Sequence, residues 1–218
     1  MIISILLSVL VNSAYATPVA DCIGPETADR FFVFLHGLGG NRDNVVIRNN
    51  SILRRVGEKF NIKFAVAVED SNCVNKDGLK CWMDRTRDPD LIKPGLRAIE
   101  MAANDCFRND KYGVVGFSSG GGLVIDILRL CSPNHFTRLI AIGSVGGNSK
   151  ASPANLQACE PSLTMVIGHE DSNLEKAQKT FAMLQSRKAK VELVTVEGGH
   201  VLTFDNLAKA FEPKADAQ

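Results

Sequence analysis

Six short runs of branched and aromatic residues recur along the chain: FFVFL (31–35), FAVAV (64–68), YGVVGF (112–117), LIAIG (139–143), TMVIG (164–168) and VELVTV (191–196). Each has the length of a strand, and the first five are almost unbroken apolar stretches. A strand with one face in water alternates polar and apolar residues. One that does not alternate must be covered on both faces, as in a parallel sheet. The sixth run admits Glu192 and Thr195, which places it nearer an edge. Helical patterns fill the intervals. Leu174, Ala177, Phe181 and Leu184 recur at three- and four-residue steps, with Lys176, Lys179 and Gln185 off the stripe. Ser172 and Glu175 have the spacing of a capping box at its start. The stretch from Leu123 to Leu130 is apolar on most sides, broken only by Asp126 and Arg129, and reads as a central covered helix. This alternation implies an α/β fold with a doubly wound, mostly parallel sheet. Over 218 residues there is no internal repeat, low-complexity tract or linker, so a single domain is expected.

The ends of the chain and its cysteines bear on where it works. Residues 1–16, MIISILLSVLVNSAYA, carry no charged side chain, and the apolar stretch from Ile2 to Val11 is shorter than the roughly 20 residues a membrane span needs. Ala14-Tyr15-Ala16 supplies an A-x-A cleavage site, so residues 1–16 read as an export signal and residues 17–218 as the mature domain. The basic residue usual at the start of such a signal is missing, and the alternative is a buried N-terminal strand. Six cysteines, Cys22, Cys73, Cys81, Cys106, Cys131 and Cys159, fit export to a secreted or periplasmic location with disulfide bonds. The pairing is open; Cys73 and Cys81 lie close enough to close a small loop, and buried free thiols are the alternative. No C-x-x-C or clustered Cys/His spacing points to zinc. The net charge of +1 comes without a basic stripe or an acidic run, which argues against a nucleic-acid partner.

The chemistry-bearing stretch is GVVGFSSGGG (113–122), where one serine, Ser118, follows an apolar run and precedes an apolar helix. Gly116-Phe117-Ser118-Ser119-Gly120 fits G-x-S-x-G, the nucleophile elbow, whose sharp strand-to-helix turn needs small neighbours. The helix N-terminus directs N–H groups at any anion formed beside the serine. A serine hydroxyl needs a base, and the chain has four histidines: His36, His135, His169 and His200. In a fold built on such an elbow the order is serine, acid, histidine, and only His200, in VEGGHVLTF, leaves room for the acid. Asp171, in VIGHEDSNL, is the candidate acid, with Glu170 as competitor. It would fix the imidazole tautomer and stabilise the imidazolium. In FLHGLGGN, the loop after the first long run supplies one oxyanion N–H, that of Leu38; the residue after the nucleophile, Ser119, supplies the other. The incomplete G-x-G-x-x-G of that loop, with Glu69 about ten residues too far along, excludes a dinucleotide site. Such a base works only unprotonated, so activity should fall on acidification.

HGLGGN, GFSSGGG, IGHED and EGGH together resemble the α/β-hydrolase superfamily over nearly the whole mature chain. With export, the cysteines, Cys81-Trp82 and Gly198-Gly199-His200, the sequence more narrowly resembles the secreted polyhydroxybutyrate depolymerase and feruloyl esterase type. FLHGLGG and GFSSGG are also similar to the carboxylesterases and acyl-protein thioesterases. The resemblance implies a serine esterase working through an acyl-enzyme with Ser118, His200 and Asp171, without metal or organic cofactor. Its substrate would be a small-molecule or polymeric ester of polyester, feruloyl or acetyl type. A lipase or peptidase on the same apparatus, or an inactive binding protein on the same fold, is the alternative. No stable membrane anchor is expected, and the oligomeric state is open. Ser144 to Ser162 is fewer than twenty residues, too short for a folded cap, so the cleft should be open. Trp82, the one tryptophan, is a candidate substrate contact; its commoner use would be to pack the excursion that carries it.

Overall fold

The computed structural model describes residues 20–39, 42–68, 82, 92–108, 110–131, 136–146 and 156–212. The expected export signal lies outside them, as do Cys73, Cys81, His135 and residues 147–155 of the stretch expected to be too short for a cap. In chain order the elements are β1 (Ala20–Ile23), β2 (Arg30–Leu35), α1 (Arg42–Phe60), β3 (Ile62–Ala67), α2 (Lys93–Cys106), β4 (Tyr112–Phe117), α3 (Ser119–Arg129), β5 (Phe136–Ile142), β6 (Leu163–Gly168), α4 (Leu174–Ser186), β7 (Val191–Val196) and α5 (Phe204–Lys209).

The strands form one sheet in the order β1-β3-β2-β4-β5-β6-β7. Every pairing is parallel except β1 with β3, which is antiparallel. Successive residues of a strand point to opposite faces, and here both faces are buried. Val33 and Leu35 of β2 belong to one core with α2, α3 and α4. Phe32 and Phe34, between them, belong to a second core with α1 and α5. Phe211, just after α5, closes the second core edge-on against Phe32, ring centroids 4.9 Å apart. That two-sided burial is why the runs show no polar alternation. β7, the run with Glu192 and Thr195, lies at the sheet edge and is only half-buried. In α3 every residue from Leu123 to Leu128 is buried, Asp126 included.

Two elements carry no such signal. β1 is four residues long and half-covered, with Asp21 and Cys22 between its buried ends; α1 is rich in polar residues and contributes Leu53 and Val56 to the core. The capping box expected at Ser172 and Glu175 does not form. The N-cap of α4 is Asn173, without a side-chain cap bond, and its N–H donates to the Asp171 carboxylate at 2.8 Å. A capping box forms instead at α5, between Thr203 and Asn206.

Cys22 and Cys106 are disulfide-bonded, Cα atoms 5.5 Å apart, tying β1 to the end of α2. Cys131 and Cys159 are bonded at 5.3 Å, tying the end of α3 to the approach to β6. Among the described residues no cysteine is free, so the free-thiol alternative fails for these four. The two bonds close loops of 84 and 28 residues, a constraint that chiefly limits the unfolded chain. Replacing both Cys22 and Cys106 by serine should lower stability by about 2–5 kcal/mol in urea unfolding; an unchanged midpoint would refute a stabilising role for the bond.

Candidate active site

Parallel strands bring the loops at their carboxyl ends together, and in such sheets ligands bind at that rim. The loops after β2, β4, β6 and β7 carry the 36–39 turn, Ser118, Asp171 and His200. At the centre, β4 turns directly into α3 at Ser118. The serine has φ +52° and ψ −112°, a conformation costly for any residue with a side chain and stable only where its surroundings impose it. Two glycines make the turn fit. A Cβ on Gly116 would stand 2.3 Å from the Gly120 carbonyl, and one on Gly120 would stand 2.5 Å from the Leu35 carbonyl oxygen. The Ser118 N–H is fixed by the Ile142 carbonyl at 2.8 Å and the Gly120 N–H by the His36 carbonyl at 3.2 Å.

From this turn Ser118 Oγ lies 2.9 Å from His200 Nε2, and His200 Nδ1 lies 2.8 Å from Asp171 Oδ2. The Asp171 side chain is fully buried, while 37% of the His200 side chain remains exposed. A buried carboxylate needs donors, and Asp171 has two, His200 Nδ1 and the Asn173 N–H. Since the carboxylate can only accept, Nδ1 carries the proton and Nε2 is free to accept from the serine. The β6 and β7 loops are joined by the His169 N–H to the Val196 carbonyl at 2.8 Å and the Glu170 N–H to the Gly198 carbonyl at 3.0 Å. The Phe117 ring packs 5.2 Å from the imidazole.

The remaining candidates fall into place around this chain of groups. Glu170, the competing acid, is exposed, and the imidazole bonds to Asp171 instead. His169 is exposed; His36 is buried, its Nδ1 donating to the Gly37 carbonyl at 2.7 Å. Leu38 sits in the turn after β2 and Ser119 is the first residue of α3; among the described residues, neither N–H donates to a backbone carbonyl. Trp82 departs from the expected substrate contact. It is 1% exposed, its Nε1 donates to the His36 carbonyl at 2.8 Å, and its ring packs 4.7 Å from the His36 ring. A side chain with no free surface has none to offer a substrate. A supporting residue not foreseen is Asn206, buried, whose side chain bonds the Thr203 N–H and the Val201 carbonyl just after His200. Its signal, a threonine three residues before an asparagine, was readable as a cap. Among the described residues no group of three or more His, Cys, Asp or Glu side chains is placed to hold a metal ion.

No family model and no curated protein sequence matches the chain. Its backbone does match solved structures. A carboxylesterase from Bacillus cereus superposes with a TM-score of 0.64 at 18% identity, over 88% of this chain and 92% of that one. Acyl-protein thioesterase 2 from Zea mays gives 0.61 at 19%, over 88% and 95%, and esterase PE8 gives 0.62 at 19% over the same shares. At such identities what is shared is the fold. It is the α/β-hydrolase fold, a seven-stranded, mostly parallel sheet with helices on both faces.

Two consequences are measurable. Gly120→Ala puts a methyl group against two backbone carbonyls, which cannot move aside as a side chain would. It should destabilise the protein by about 1–3 kcal/mol in chemical unfolding; unchanged stability would refute the close approach. Burial pushes the His36 imidazole below its ordinary value of 6.5, against the weaker opposing effect of its bond to Gly37. The unfolded chain therefore takes up this proton at a higher pH than the folded one does. Stability is undiminished above about 6.5 and falls as the pH drops below it toward the depressed folded value. His36→Gln should flatten the decline of the unfolding midpoint between about pH 7 and about pH 5, and an unaltered slope would show that His36 is not its source.

Proposed function

We propose that the chain is an exported serine esterase that cleaves carboxylic esters through an acyl-enzyme. The observation that carries this reading is the hydrogen-bonded relay in which His200 links the Ser118 hydroxyl to a buried Asp171 carboxylate. As Ser118 Oγ attacks the ester carbonyl, its proton passes to His200 Nε2. Asp171 holds the ring in the tautomer able to accept it and stabilises the imidazolium. The carbonyl oxygen becomes an oxyanion, received by the Leu38 and Ser119 N–H groups; one such donor is worth about 2.7–4 kcal/mol of barrier in comparable sites. Collapse expels the alcohol, which takes the proton from His200. Water then repeats the sequence, with His200 as its base, and frees the acid. Every step uses groups of the chain itself.

The fold neighbours bear on the bond cleaved, since they include an esterase, a carboxylesterase and an acyl-protein thioesterase. Thioester cleavage on the same apparatus is the second reading. The imidazole is partly exposed, so substrate can reach it from solvent; polyester, feruloyl and acetyl esters are the classes proposed. Two disulfides and the uncharged residues 1–16, with their A-x-A site, support export. Among the described residues no helix is long and apolar enough to cross a membrane.

Ser118→Ala should reduce ester hydrolysis by at least roughly 10³-fold and abolish labelling by a fluorophosphonate, with the circular-dichroism melt unchanged. A folded variant that keeps its activity would overturn the assignment. A panel of acetyl, long-chain, feruloyl, polyester and thioester substrates would then rank the bond classes.

A further inference from the structure

Trp82 is separated by 46 residues from the loop it touches and donates its indole N–H to the His36 carbonyl. Burying an indole N–H without a partner would cost about 1–3 kcal/mol, so a buried tryptophan is oriented by whichever acceptor it finds. The acceptor here is shared. The same oxygen takes the Gly120 N–H from the first turn of α3, at 3.2 Å. A carbonyl oxygen has two lone pairs, and with both engaged the 36–37 peptide cannot rotate.

The constraint is passed on through the side chain of the same residue. The Trp82 ring packs at 48° against the His36 imidazole, whose Nδ1 donates to the Gly37 carbonyl at 2.7 Å. That carbonyl and the Leu38 N–H belong to one planar trans peptide, in which C=O and N–H point in opposite directions. Holding the Gly37 oxygen on the imidazole therefore aims the Leu38 N–H the other way. The loop also lies close upon the nucleophile, since a Cβ on Gly37 would stand 3.3 Å from the Ser118 Cβ. Burial disfavours the protonated His36 ring, and the bond to the Gly37 carbonyl assigns the donor to Nδ1.

We infer that Trp82 is a positioning residue: by clamping the His36 carbonyl and imidazole it fixes the direction of the Leu38 N–H toward the oxygen that becomes negative in the reaction. The inference rests on the reading of Ser118 and Leu38 given under Proposed function. It separates Trp82 from substrate binding, because misdirecting an oxyanion donor raises the barrier without weakening the ground-state complex.

The test uses the full mature chain, with active sites counted by fluorophosphonate titration. Trp82→Phe keeps an aromatic ring beside His36 and removes the N–H. Per active site, kcat should fall between about tenfold and a hundredfold, with KM changed by less than about twofold. Inhibition by an alkyl trifluoromethyl ketone, whose adduct with serine carries an oxyanion, should weaken by the same factor as kcat/KM. A lower melting temperature with kcat and inhibitor affinity intact would show a merely structural role and overturn the inference. Should Trp82→Phe fail to fold, substitution of Trp82 by 3-benzothienylalanine keeps both rings and lacks only the donor, and the same two outcomes decide. Wild-type protein inert to both reagents would overturn the hydrolase reading and this inference with it; a reactive wild type with an unaffected variant would overturn the inference alone.

Discussion

At the turn between β4 and α3, backbone packs against backbone more closely than any side chain permits. Gly116 and Gly120 face each other there, and Gly120 also lies against the carbonyls that end β2. This contact forces Ser118 into its unfavourable backbone conformation and lifts its hydroxyl clear of the sheet. It also sets the helix start beside the 36–39 turn, so that the Gly120 N–H reaches the His36 carbonyl. The strain at Ser118 is sustained by the two cores on either side of the sheet, which bury β4 completely apart from its last residue.

Around that fixed point, the other groups are held by hydrogen bonds between loops. Asp171 is shut from solvent and accepts from His200 Nδ1 and the Asn173 N–H, which leaves the imidazole one orientation. The His200 loop is secured on one side by the Glu170 N–H to Gly198 and on the other by the Asn206 side chain. Such support matters because catalytic geometry tolerates errors of only about 0.5 Å. The disulfide from Cys131 to Cys159 joins the far end of α3 to the segment leading into β6, whose following loop carries Asp171. The segments leading from Ser118 and toward Asp171 are therefore covalently tied away from the site as well as hydrogen-bonded through it.

Legibility tracked how local each signal is. β4 and β7 occupy the expected residues, and four further strands begin or end within one to three residues of expectation, because burial on both faces leaves an unbroken apolar run in the sequence itself. β1 left none: its four residues pair antiparallel to β3, and their cover comes from elsewhere in the chain. The capping spacing at Ser172 and Glu175 was present but unused, since α4 begins one residue later, with Asn173 at its N-cap. Trp82 could be identified as a large side chain needing a partner. Which partner it takes depends on a carbonyl 46 residues away.

By itself the sequence determined the sheet class, through apolar runs that only two-sided burial explains, and the elbow, because no larger residues fit a strand-to-helix turn. It also offered candidates for a base and an acid on particular loops. Tertiary structure alone set the His200 imidazole against Asp171 and not Glu170, paired four of the cysteines and turned Trp82 inward. The physical reason is common to all three. Adjacent residues point in different directions, and partners distant in the chain meet only once the sheet has closed, so these choices are properties of distances in space that residue order does not encode.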